Sequence, residues 1–129
     1  MVENATPDVS EANYQIVRDA LRGVATENRD VSNDFSRYDF TFAAKTGTAE
    51  VAGKQDFAWF ACYAPYEDPR FALALCIEEG GSGGAVASPV AARVMKAAID
   101  YSNGVTIDYE KISVGTPGKT QQAGGESNE

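Results

Sequence analysis

The sequence contains no histidine, which removes Ser-His-Asp and Cys-His catalysis, since both need an imidazole to take the nucleophile's proton. It also lacks any serine followed three residues later by lysine. That i, i+3 pair would place an amine on the same helix face as a hydroxyl and activate it. Ser10, Ser32, Ser36, Ser82, Ser88, Ser102 and Ser113 all miss the partner, and Ser127 stands too near the end to have one. An S-x-N triplet is absent as well. Cysteine is scarce: Cys62 and Cys76 stand alone, without C-x-x-C spacing, so a zinc site is excluded and no metal or cofactor is implied. Basic residues are outnumbered, 11 to 19, giving a net charge of −8. Binding a phosphate backbone would therefore release few counterions, and nucleic acid is not a partner this composition suits. There is no apolar run of about eighteen residues, and Met1-Val2-Glu3-Asn4 has neither the basic nor the apolar region of a signal peptide. Any membrane attachment would come from an anchor outside this sequence.

What is present is enough for one folded domain: 129 residues, 43% of them hydrophobic and 10% aromatic. The most informative residues are Lys45-Thr46-Gly47-Thr48, set between the apolar run Phe40 to Ala44 and Ala49-Glu50-Val51. A strand alternates its side chains, so Lys45 and Gly47 fall on one side while Thr46 and Thr48 fall on the other. A substrate lying along such an edge would meet two hydroxyls, a cation and bare backbone. Gly47 has no β-carbon to block that approach, and the Thr48 N–H can donate to a developing oxyanion if the edge faces a cleft.

The remainder reads as an α+β unit, a helix followed by three strands and a second helix. Residues 1–9 are polar and expected to be loose. A helix is predicted over 10–23, with Tyr14, Val17, Leu21 and Val24 on one face, Ser10 as N-cap and Gly23 at the stop. Thr26 to Arg37 is charged and asparagine-rich and reads as a loop. The KTGT strand is predicted over 40–51, and an antiparallel hairpin over 57–78 turns at Pro65-Tyr66-Glu67-Asp68-Pro69-Arg70. Neither hairpin strand alternates with polar residues, so both sheet faces call for cover. The small residues Ala58, Cys62 and Ala64 share one face, where a helix could pack closely. Whether Cys62 and Cys76 are two buried thiols or a disulfide depends on a register the sequence does not set. After the glycine-rich turn Gly80 to Gly84, a helix is predicted over 88–102, with Ser88 as cap and Pro89 in its first position. Residues 105–129 are read as a mostly flexible tail.

With these elements placed, Phe42 to Val51, Asp56, Trp59-Phe60, Tyr63-Ala64-Pro65-Tyr66 and Glu79-Gly80-Gly81-Ser82-Gly83-Gly84 resemble the C-terminal part of the transpeptidase domain in class B penicillin-binding proteins. The likeness is densest from about Phe40 to Asp100, and the glycine turn followed by Val86-Ala87-Ser88-Pro89-Val90 resembles elongation-type members more than septal ones. Phe57 stands where many relatives place histidine, and Glu79 where many have asparagine. The resemblance implies a β-lactamase/transpeptidase-like fold, with an antiparallel sheet flanked by helices and only its C-terminal part present. It also implies a serine D,D-transpeptidase that cross-links peptidoglycan at the outer face of the bacterial cytoplasmic membrane. Lys45 and Thr48 would then be catalytic, and Thr46, Gly47 and Thr48 would bind substrate. The implied partners are the D-Ala-D-Ala stem peptide, β-lactams, and an N-terminal remainder of the domain carrying S-x-x-K and S-x-N. On that reading the chain alone is inactive. A non-catalytic peptide- or protein-binding module and a serine β-lactamase fragment are the alternatives.

Other patterns in the chain are weaker. Gly118-Lys119-Thr120 ends like a phosphate loop, but that motif needs glycine where Ser113 stands. Tyr101-Ser102-Asn103 imitates a Y-x-N triplet yet follows the KTG element, and reads as a helix end. Glu78 and Glu79 are adjacent on a strand and point to opposite faces, which does not suit joint acid–base work. Trp59 and Phe60 read as core.

Overall fold

The computed structural model describes residues 8–107. Most of the expected loose N-terminus and tail, and with them Gly118-Lys119-Thr120, lie outside the described residues.

Helix α1 spans Glu11–Glu27. Ser10 caps it, its Oγ accepting from the Asn13 N–H at 3.3 Å. The helix runs through Gly23 and on to Glu27, four residues beyond the stop assigned from sequence. Gly23 keeps ordinary helical backbone, which disfavours the helix by only about 1 kcal/mol relative to alanine. The stretch read as a loop contains a second helix, α2, over Arg29–Phe35. Asn28 caps it by accepting from the Val31 N–H at 3.3 Å. Its two apolar residues, Val31 and Phe35, are four apart, share one face, and are both buried. The segment's charged composition masked that pair.

Strands β1 (Ala43–Ala49), β2 (Phe57–Ala64) and β3 (Phe71–Ile77) form an antiparallel sheet in the order β1-β2-β3. β1 is shorter than the 40–51 span, because Phe40 and Phe42 leave the strand direction to pack on Phe35. The Phe35 and Phe42 rings stack at 3.8 Å, and Phe40 meets Phe35 edge-on at 6.0 Å. In register, Thr46 faces Phe60, Gly47 faces Trp59 and Phe60 faces Leu75. Helix α3 spans Ser88–Ser102, preceded by a single π-helical turn at Gly83–Ala87. Ser88 does not cap α3 as the sequence suggested. It is fully buried with no hydrogen-bond partner for its hydroxyl, whereas Ser82 caps the π turn by accepting from the Ala85 N–H at 3.3 Å. The helix starts one turn earlier than Pro89 indicates because the chain is already coiled when it reaches Ser88.

The core lies on one face of the sheet. Ala44, Ala58, Phe60, Cys62 and Ala64 meet Ala91, Ala92 and Met95 of α3 together with Val31 and Phe35 of α2. Phe60 at its centre is 1% exposed. The face of small residues is indeed the one the helix covers, since alanine and cysteine let α3 sit close. Most of the opposite face is open among the described residues, although Ala43, at the start of β1 beside α1, is fully buried there. Trp59, assigned to the core from sequence, is 45% exposed there, beside exposed Ala61, Ala72 and Ala74. Tyr14 and Val17, on the face of α1 expected to be buried, are also exposed next to that surface. Strand pairing settles the cysteines: Cys62 faces Leu73 on the core side, whereas Cys76 faces Trp59 on the bare side, and both are free thiols. Burial pushes the Cys62 thiol up to about 12.

Candidate active-site strand

β1 is an edge strand, hydrogen-bonded on one side to β2 only. That leaves every second N–H and C=O pointing away from the sheet. The Lys45 ammonium reaches round to this edge and donates to the Thr46 carbonyl oxygen at 2.6 Å. The Thr46 carbonyl is therefore turned outward, and by the period-two alternation the N–H of Thr48 is turned the same way. Lys45 is exposed, Thr46 and Gly47 are half-buried and Thr48 is exposed. Thr46 and Thr48 lie on the side of Phe60 and Ala58, and Lys45 and Gly47 on the side of Ala61 and Trp59. A β-carbon at Gly47 would stand 3.2 Å from the Trp59 Cβ, so glycine fits the close cross-strand approach. The strand thus presents an ammonium, two hydroxyls and outward backbone donors along one open edge, a combination able to hold a carboxylate and polarise a carbonyl.

Two supports that the sequence did not disclose hold this edge in place. At the start of β1, α1 reaches over: the Arg22 guanidinium donates to the Phe42 carbonyl at 2.6 Å, and Arg18 donates to the Tyr66 carbonyl at 2.7 Å. Both guanidinium groups lie over the Tyr66 ring, at 5.4 and 5.1 Å from its centroid. The Tyr66 hydroxyl donates to Asp19 at 2.9 Å, and that bond, with burial behind it, raises the phenol above its ordinary value. Thr41 donates to Glu67, which holds that carboxyl below its usual range. Behind the middle of β1 lies the π turn, where Gly83 is buried against the backbone of Gly47 and Trp59. The arginines at 18 and 22, four apart on α1, were the only signal for the first support. For the second it was the paired glycines 83 and 84.

On the bare face, a groove of about 460 Å³ opens between α1 and the sheet, with Leu21, Ala43, Lys45, Ala61, Tyr63 and Ala74 among its walls. It is almost wholly apolar apart from Lys45. Glu79, in left-handed backbone at φ 54°, stands 3.8 Å from Lys54 on the exposed surface and takes no part in the strand edge. Among the described residues no helix is long and apolar enough to cross a membrane.

Helices packed on one face of an antiparallel sheet whose free edge strand reads Lys-Thr-Gly-Thr define an α+β fold of the transpeptidase/β-lactamase type. Residues 2–96 match the penicillin-binding protein transpeptidase domain, and the chain belongs to that family. It is 31% identical over 108 residues to the peptidoglycan D,D-transpeptidase MrdA of Haemophilus influenzae, covering 69% of this chain and 17% of that protein. Pseudomonas aeruginosa PBP2, solved in complex with WCK 5153, superposes with a TM-score of 0.65 at 31% identity, over 80% of this chain and 24% of the solved one. Penicillin-binding protein A of M. tuberculosis, solved as an imipenem acyl-enzyme complex, gives a TM-score of 0.57 at 27% identity, over 70% of this chain and 20% of its own. The chain therefore spans about a sixth of the length of the curated relative and a quarter or less of the two solved chains. The class B resemblance drawn from the KTGT strand and its flanks holds, as does the expected fold class.

Proposed function

We propose that this chain supplies the KTGT strand to the active site of an elongation-type serine D,D-transpeptidase, while the nucleophile is supplied by residues outside it. The observation that carries the reading is the open edge of β1, with Lys45 folded onto the Thr46 carbonyl and the Thr48 N–H directed outward. The stem-peptide carboxylate of D-Ala-D-Ala would lie along this edge, held by the hydroxyls of Thr46 and Thr48, with Gly47 admitting its backbone. The serine of an S-x-x-K pair would attack the penultimate D-alanyl carbonyl and D-alanine would leave. An amine from a neighbouring strand would then take the acyl group. Thr48 would give its N–H to the oxyanion, a donor typically worth on the order of a hundredfold in rate or more. Lys45 would bond toward the serine of S-x-N and assist proton movement. A β-lactam carries a carboxylate next to a strained carbonyl and would acylate the same serine. The protein would work at the outer face of the cytoplasmic membrane, anchored by a segment outside this sequence.

A fluorescent penicillin tests the reading. The isolated chain is expected to remain unlabelled, and a longer protein that adds S-x-x-K and S-x-N is expected to become labelled. In that longer protein Lys45→Ala should lower labelling by a hundredfold or more, on the scale of removing one preorganised transition-state contact. Labelling of the isolated chain, or an upstream coding sequence without the two serine motifs, would overturn it. The second outcome would favour the binding-module alternative.

A further inference from the structure

The π turn is the least regular element of the described chain, and it sits directly behind the KTGT strand. Ser82 anchors its start and the Ser88 N–H closes it onto the Gly83 carbonyl, five residues back. Gly81 fixes the preceding loop by donating to the Asp56 carbonyl at 2.7 Å. A β-carbon on Gly83 would fall 2.3 Å from both the Gly47 and Trp59 carbonyl oxygens and 2.9 Å from the Gly47 nitrogen. These are backbone atoms, so no side chain can swing aside. The shortfall is about 0.7 Å against the 3.0 Å below which real Cβ contacts essentially never fall. Gly84 differs: a β-carbon there would meet only the Thr46 Cγ2, at an ordinary 3.8 Å.

β1 has a partner strand on one side only, so its depth relative to the open edge is set by what stands behind it. At Gly47 that is Gly83, backbone against backbone. We propose that Gly83 is a positioning residue for the KTGT strand: by lacking a side chain it lets the π turn hold Gly47, and with it the Thr46 carbonyl and Thr48 N–H, at the depth acylation requires. Single π turns are frequent at functional sites. A displacement near 1 Å at a reacting centre is enough to lose on the order of a hundredfold in rate.

The inference rests on the proposed role of the KTGT strand, and its test separates the two. In the longer penicillin-labelled protein, stopped-flow acylation resolves the non-covalent binding constant from the acylation rate constant for four variants. Gly83→Ala should cut the acylation rate constant about a hundredfold with a much smaller change in binding, and Gly84→Ala should leave both unchanged. Ser82→Ala, which loosens the turn without adding volume, should cut the rate several-fold while lowering the thermal midpoint only by the few degrees that loss of one cap costs. If G83A does not fold, S82A decides alone, and parental acylation there overturns the proposal. It is equally overturned if folded G83A acylates at the parental rate, or if G84A loses as much as G83A. Lys45→Ala is the fourth variant. Parental acylation by K45A means that the strand's proposed role has failed. Loss in K45A with parental rates in G83A and S82A means that only the positioning role has failed.

Discussion

Replacing Arg22 by alanine tests whether α1 truly fixes the start of the KTGT strand. The guanidinium donates to the carbonyl of Phe42, a residue 5% exposed and adjacent to β1. Without it, an acceptor in a largely buried setting loses a charge-assisted bond, worth about 1.5–3 kcal/mol. The contact with the Tyr66 ring at 5.4 Å adds about 0.5–1 kcal/mol. The half-buried position of Arg22 keeps both terms near their lower ends, so R22A should destabilise by about 2–3 kcal/mol. For a folded unit of roughly this size that lowers the melting temperature by about 10–20 °C. Urea unfolding followed by circular dichroism, on this chain or on a longer protein containing it, reads the change directly. Arg22→Lys keeps the charge but presents no planar fork, so it should recover no more than about half. A double-mutant cycle with Tyr66→Leu should return a coupling of about 0.5–1 kcal/mol. If R22A costs less than about 0.5 kcal/mol, Arg22 does not hold the strand, and β1 must be fixed by β2 and the π turn alone.

Phe35→Ala removes a ring stacked on Phe42 and packed near Phe60 and Phe40, and should cost about 3–5 kcal/mol in the same unfolding assay, enough to unfold a marginal domain. Lys96→Ala removes only an i, i+4 pair with Asp100 on the partly exposed side of α3, so its loss should stay within about 0.5 kcal/mol. Cys62 titrates at about 12 in the fold against 9.0 ordinarily, so the folded state keeps a proton that the unfolded chain loses. Its contribution is complete below pH 9 and declines as pH rises toward about 12, giving a urea midpoint that falls across that window. The Cys62→Ala variant should show a shallower decline, and an identical slope would refute the assignment. Trp59 is the chain's one tryptophan and is 45% exposed, so acrylamide should quench it readily in the isolated chain. In a longer protein that covers the bare face, a 59-specific probe should become protected.

Where local chemistry sets the outcome, the sequence was legible. Alternation in β1 gave the two sides of Lys45 to Thr48, the Pro-bounded turn gave the hairpin, and Pro89 after the glycine-rich turn marked the first residues of α3, whose buried face is made by Ala91, Ala92 and Met95. The reading failed where a few residues had to be weighed against their surroundings. Val31 and Phe35 bury one face of α2 inside a charged segment, and Trp59 looks like core until it is known that no described element covers it. Gly23 carried a stop signal that the helix ignored, because nothing at that point required left-handed backbone. Ser88 carried a capping signal, but the chain was already helical when it arrived there.

By itself the sequence determined the family and singled out the candidate strand, because a tetrapeptide's residue types and the period of its side chains are properties of the chain alone. The absent histidine and the absent S-x-x-K, also read from the chain alone, are what support the proposal that the nucleophile comes from elsewhere. Only the tertiary structure decided which edge of the sheet is open, which face α3 covers, and that Cys62 and Cys76 are held apart on opposite faces. These depend on strand register and on contacts between residues far apart in sequence, such as Arg22 with Phe42 and Gly83 with Gly47. A one-residue slip in pairing would have reversed every one of those faces without changing a single letter.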